Sequence, residues 1–108
     1  MAQVVWTEPA LADLNDIAEY IALDKLGAAK YLVKKVFSSV ERLGDFPKSG
    51  RNPPELKNLR YREVIVGPCR IFYRCTQNKV YILYVMRSEM KLRKYLLDDI
   101  TYISMHSQ

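Results

Sequence analysis

Histidine is almost absent from this 108-residue chain: His106, close to the C-terminus, is the only one. With no second imidazole to share the work, neither a metal site nor histidine-centred acid–base chemistry is expected, and His106 reads as incidental. Cysteine is scarce as well. Cys69 and Cys75 lie six residues apart on what reads as one strand. They share a face there but stand about 20 Å apart at ~3.3 Å per residue, too far to pair, so both read as reduced, buried residues. Long apolar runs are missing, none approaching the ~20 residues that cross a bilayer. The first residues lack the charged-then-apolar pattern of a signal peptide, so a cytoplasmic protein with no membrane partner is expected. There is no internal repeat, linker or low-complexity segment. One domain over 1–108 is therefore expected, with 98–108 as a flexible tail.

What is present is a mix of 49% hydrophobic and 27% charged residues, the balance of a folded domain and not of a disordered chain. Lys and Arg together number 17 against 12 Asp and Glu, giving a net charge of +5 and a pI near 9.3. Such a surface favours acidic partners: nucleic acid, a machine bound to nucleic acid, or an acidic protein. Charge that serves solubility alone is the competing reading.

Gln3 to Trp6 is a strand-like run of β-branched and aromatic residues. Thr7 then stands where a helix N-cap belongs, with Pro9 in the first turn. Leu11, Leu14, Ile17, Ala18 and Ile21 recur at three- and four-residue steps, while Asp13, Asp16 and Glu19 lie mainly off that stripe. After a break at 24–27, Ala29, Leu32, Val33, Val36, Phe37, Val40 and Leu43 form the stripe of a second helix over 28–43, which makes a helical hairpin with the first. Residues 44–58 (GDFPKSGRNPPELKN) form the one extended loop, broken by Pro47, Gly50, Pro53 and Pro54. A rigid connector and a functional loop explain it equally well.

The stretch from Tyr61 to Leu97 organises the rest. Strands over 61–66, 69–75 and 80–86, joined by tight turns at Gly67-Pro68 and 76–79, read as an antiparallel meander. In the middle strand Cys69, Ile71, Tyr73 and Cys75 share one face, and Arg70, Phe72 and Arg74 share the other. In the last strand Val80, Ile82, Tyr84 and Met86 alternate with Tyr81, Leu83, Val85 and Arg87. Ser88 suits the cap of a short basic helix from Glu89 to about Leu97. The fold class is thus α+β: an N-terminal strand and a helical hairpin packed on a small antiparallel β-sheet of about four strands, with a short basic C-terminal helix.

The order of elements and three phrases resemble the RelE/ParE superfamily, toxins of bacterial type II toxin–antitoxin pairs. FPKSGRNPPEL at 46–56 is similar to the family's proline-rich loop, YREVIVGPCRIFYRC at 61–75 to its R-E-x-x-V-x-x-Y-R-I-x-Y-R core, and VYILYVMRSEMKL at 80–92 to its I-L-x-V-x-H-x-x-R-x-L ending. The likeness covers roughly residues 3–97 and is closer to the ParE-like members. Met86-Arg87 stands where many members carry a histidine.

The resemblance implies one of two activities and no cofactor. A ParE-like protein inhibits DNA gyrase by binding, with Arg87, Lys91, Arg93 and Lys94 as charged anchors and Tyr84 and Met86 as apolar ones. A RelE-like protein is an endoribonuclease that cuts messenger RNA on the ribosome. Arg62, Arg70 and Arg87 would then stabilise a phosphorane-like transition state, with Glu63, Glu89 or Tyr95 as base by residue type alone. The missing histidine favours the first. Either way the resemblance implies a cognate antitoxin whose flexible segment folds onto the hairpin and sheet, with Leu14, Ile21, Phe37, Arg70 and Arg74 as contacts. The simple structural readings compete: Arg70 and Arg74 paired to Glu63 or Glu55, Arg62 or Glu63 in a cross-strand pair, and the strand tyrosines as packing.

Overall fold

The computed structural model describes residues 1–56 and 60–88. Strand β1 (Gln3–Trp6) leads into helix α1 (Glu8–Ala22) and helix α2 (Leu26–Glu41), which ends in a single 3-10 turn at Arg42–Gly44. The loop from Asp45 then reaches the meander β2 (Tyr61–Val66), β3 (Cys69–Thr76) and β4 (Lys79–Arg87). The expected basic helix after Ser88, with Glu89, Lys91, Arg93, Lys94 and Tyr95, lies outside the described residues, as do the tail and His106.

The four strands form one sheet in the order β1-β4-β3-β2. The meander is antiparallel as expected, but β1 runs parallel to β4, Gln3 beside Lys79 and Trp6 beside Ile82, so the sheet is mixed and not antiparallel throughout. The reason is topological: the hairpin carries the chain off β1 and over one face, and only a later strand of the meander is left to take β1 alongside. Gly67 makes the β2–β3 turn with φ of 56°, a conformation that a residue with a Cβ rarely adopts.

Two apolar clusters cover the two faces. On the helix side Ala10, Leu14, Leu32, Val36 and Val40 pack on Cys69, Ile71, Tyr73, Val80, Ile82 and Val85. Opposite lie Leu56, Tyr61, Phe72, Tyr81, Leu83 and Met86. The alternation expected of β3 holds, with Cys69, Ile71 and Tyr73 facing the helices. In β4 it holds only as far as Leu83. The ladder pairs Phe72 with Tyr84 but Tyr73 with Ile82, leaving Leu83 as an extra, bulged residue. A bulge shifts the two-residue period by one, so Val85 joins Val80 and Ile82 on the helix side while Met86 and Tyr81 share the other. The expected grouping of Tyr84 and Met86 with Val80 and Ile82 is corrected on this point.

Thr7 joins sheet to helix. Its amide and hydroxyl both donate to the Ile82 carbonyl, at 3.1 and 2.7 Å, and the hydroxyl accepts from the Ala10 amide at 3.3 Å. One residue thus ends the parallel ladder and caps α1.

Candidate functional site

The proline-rich loop is lashed to β2 and β3. Arg51 and Glu63 exchange both backbone hydrogen bonds, at 3.0 and 2.7 Å, so the loop adds one residue's worth of strand to the outer edge of β2. The Arg62 guanidinium donates to the carbonyls of Lys48 and Gly50, and Asn52 donates to the carbonyl of Tyr61. From beneath, the Tyr73 hydroxyl donates to Pro47 and accepts from the Gly50 amide, both at 2.8 Å. Burial pushes the Tyr73 phenol above its usual pKa, so it stays a neutral donor. The Cys75 thiol, also raised by burial, donates to the same Pro47 carbonyl. Gly50 is required here, because a Cβ would stand 2.7 Å from the Glu63 carbonyl oxygen.

Over the outer face of the sheet the side chains of this loop close an ion-pair chain. Glu55 takes both terminal nitrogens of Arg70, at 2.6 and 2.7 Å, Arg70 Nε donates to Glu63 at 2.8 Å, and the second Glu63 oxygen accepts from Arg51 Nε at 2.8 Å. Glu63 is 1% exposed and Arg70 5%. The fork-on-carboxylate geometry satisfies the guanidinium, and Glu55 first, then Glu63, holds Arg70 a cation against the opposing influence of burial. Arg70 also lies 5.0 Å over the Phe72 ring. Both acids weighed as partners of Arg70 in the sequence are used. The contribution of Arg51 was not foreseen, because nothing in the sequence shows that the loop folds back antiparallel to β2.

Of the residues considered for nuclease chemistry, Arg62, Glu63 and Arg70 are therefore engaged in fastening the loop. Arg87 is not with them. It sits exposed at the end of β4 with its guanidinium 5.2 Å over the ring of Tyr20 from α1. The Leu83 bulge brings it to the helix side, since Val85 and Arg87 share a face. Glu89 lies outside the described residues.

The surface contacts expected from the sequence divide likewise. Ile21 is half-buried, Phe37 is 40% exposed with its ring 4.9 Å from Trp6, and Arg74 is partly exposed. Leu14 and Arg70 are interior, and so is Met86, packed with Phe72 and Leu83. These three do not offer a surface to a partner. Leu14 faces the sheet because it is on the apolar stripe of α1, and the bulge puts Met86 in the buried cluster on the sheet face away from the helices. Between the two helices runs a groove of about 400 Å³ lined by Ala18, Ala22, Ala29, Val33, Lys30 and Lys34 among others. Leu26, which also lines it, and Tyr20, Leu23 and Tyr31 on the same hairpin are each more than half exposed. Among the described residues no cluster of His, Cys, Asp and Glu could hold a metal ion, and no helix is long and apolar enough to cross a membrane.

Residues 4–92 match the family model described as the ParE toxin of the type II toxin–antitoxin system, parDE. The chain is 38% identical over 68 residues to a protein named Toxin RelE2 from Caulobacter vibrioides, covering 63% of this chain and 73% of that one. It is 34% identical over 89 residues to the putative toxin Y4kP of Sinorhizobium fredii, covering 82% and 91%. A solved structure titled as the chromosomal ParDE system of P. aeruginosa superposes with a TM-score of 0.69 at 25% identity, over 82% of this chain and 98% of that one. Fold and sequence agree, and the chain belongs to the ParE toxin family of type II toxin–antitoxin systems.

Proposed function

We propose that this toxin acts in the cytoplasm by binding DNA gyrase, not by cutting RNA, and that an antitoxin encoded beside it neutralises it. The observation that carries the reading is the ion-pair chain Arg51–Glu63–Arg70–Glu55, whose two middle members are buried. A general base must reach a substrate proton, and a phosphate-binding arginine must turn its donors outward. Glu63 and Arg70 do neither while they pair with each other inside the protein. Arg87 by contrast is exposed, with its guanidinium over Tyr20, and Arg and Tyr are among the residue types that most often anchor protein interfaces. Lys91, Arg93 and Lys94 follow it in sequence and extend the same basic character.

The antitoxin fits the hairpin groove. Its alanine floor admits the close approach of an apolar helix face, while Lys30 and Lys34 suit acidic residues on such a segment. Ile21 and Phe37 lie on the surrounding surface and Arg74 on the opposite face. The name of the Caulobacter relative keeps ribonuclease activity as the second reading. Purified toxin added to a gyrase supercoiling reaction and to a translating ribosome extract separates them: loss of supercoiling with intact messenger is expected. Cleaved messenger beside normal supercoiling would overturn the gyrase reading.

A further inference from the structure

β1 accompanies β4 only from Lys79 to Ile82. Among the described residues, no strand pairs with β4 on that side from Leu83 to Arg87. Yet the stretch is not left open. Past Thr7 the chain continues as α1 along the same edge, and the Asp13 carboxylate accepts the amide of Val85 at 3.1 Å. Two turns further on the same side of α1, Tyr20 lies under Arg87. Asp13 therefore provides an acceptor on the edge that a longer β1 would have covered, and it does so only two residues before Arg87.

We propose that Asp13 is a positioning residue for Arg87: from α1 it holds the edge of β4 where β1 stops, and so fixes the strand end that presents the cation to the target. Three observations converge on this. An aspartate is unfavourable in a half-buried site facing a sheet, and Asp16 one turn on adds repulsion, so Asp13 is kept there against its own solvation. Its acceptor reaches a backbone group, which no change of side chain on β4 removes. The bulge at Leu83 is what brings Val85 and Arg87 to the side on which α1 runs, so the edge bond and the Tyr20 contact depend on one local distortion. Without Asp13 the last turn of strand would be free to splay from α1, and Arg87 would lose its fixed place over Tyr20.

The proposal rests on Arg87 as a target contact, but its geometric half is tested without the target. Amide exchange and side-chain resonances of Arg87, shielded by the Tyr20 ring, are followed by NMR in the full chain. Asp13→Ala should speed exchange at Val85 by about tenfold or more, the scale of losing a bond to a charged acceptor, and abolish the ring shielding of Arg87. Asp13→Asn, which keeps an oxygen at the same reach, should retain both. Asp13→Glu keeps the charge one methylene out of place and should show partial loss; it serves if the alanine variant does not fold. Ile17→Val, which trims the packing of α1 on the core without removing either the Asp13–Val85 or the Tyr20–Arg87 contact, is the control for stability alone. In cells, Asp13→Ala should raise the expression needed for growth arrest about tenfold, and Asp13→Asn should leave it near wild type. The proposal is overturned if Val85 exchange and Arg87 shielding in Asp13→Ala stay as in wild type, or if Ile17→Val changes them equally. An Arg87→Ala variant that remains fully toxic would remove Arg87 from the target surface, and the NMR result would still decide whether Asp13 positions it.

Discussion

The Arg70 guanidinium and the Glu63 carboxylate meet at 2.8 Å with side chains 6% and 0% exposed, a charge pair whose loss from either side leaves a buried ion one partner short. Breaking such a pair from one side costs about 3–5 kcal/mol, whereas replacing both partners by apolar residues is often nearly neutral. Glu63→Ala should therefore lower the unfolding free energy by about 3 kcal/mol, the low end because Glu55 still holds Arg70. Arg70→Met combined with Glu63→Leu should recover most of that loss, since Glu55 and Arg51 are then solvated enough to stand alone. Urea unfolding at pH 7 measures both. A double variant as unstable as the single one would show that the pair is worth more than its burial suggests.

Tyr73→Phe removes a hydroxyl that both donates to Pro47 and accepts from Gly50. With the buried Gly50 amide left unpaired and the Pro47 carbonyl held by the Cys75 thiol alone, a loss of about 1–3 kcal/mol is expected. Proteolysis should begin in the loop around Lys48 and Arg51 before the core unfolds. Gly50→Ala should be at least as damaging, because the added Cβ meets backbone at 2.7 Å, which cannot move as a flexible side-chain tip can. Early cleavage elsewhere would place the weak point outside this latch.

Much of this architecture was legible in the residues. The stripe Leu32, Val36, Val40 and the alternation Cys69, Ile71, Tyr73 each carry the period of their element, and the core they predict is the core found. Arg70 with Glu55 or Glu63 was legible as a set of opposite charges. What was hidden depends on partners far apart in sequence. The Leu83 bulge has no glycine or break in hydrophobicity to mark it, since YILYV is apolar on both phases, and so Met86 and Arg87 were placed on the wrong faces. The parallel pairing of β1 left no trace because QVVW would suit either direction. Asp13 looked like a solvated acid off the apolar stripe; only the premature end of β1 gives it an amide to hold.

Asp13 also gives stability a definite pH dependence. Burial, which outweighs the stabilising Val85 amide, and then Asp16, raise its pKa from 3.8 to about 6. The folded protein consequently binds this proton more tightly than the unfolded chain. Its contribution is most favourable below pH 3.8 and is lost as pH rises through about 6. Asp13→Asn, which never ionises, should match wild type in Tm near pH 3.5 and exceed it progressively across this window, with a constant advantage above pH 7. Comparing the two proteins cancels the titration of other carboxylates. An advantage that is the same at all pH values would mean that Asp13 titrates as an ordinary surface acid.

Arg87 supplies the sharpest functional test, because it is exposed and its loss should cost little in folding. The contact with Tyr20 is a cation–π pair at an exposed site, worth about 0.5–1 kcal/mol. Arg87→Ala should lower Tm only slightly and leave antitoxin binding intact, since the hairpin groove is lined by residues of α1 and α2. Growth arrest should nonetheless fall by about tenfold or more, as truncation of an interface anchor does. Tyr20→Ala should reproduce part of that loss by freeing the guanidinium, and Arg87→Lys should rescue poorly, because an ammonium keeps the charge but not the planar fork. Titration of each variant with the antitoxin separates the outcomes: a variant that loses toxicity and antitoxin binding together has lost its fold, whereas one that loses only toxicity marks the face turned to the target.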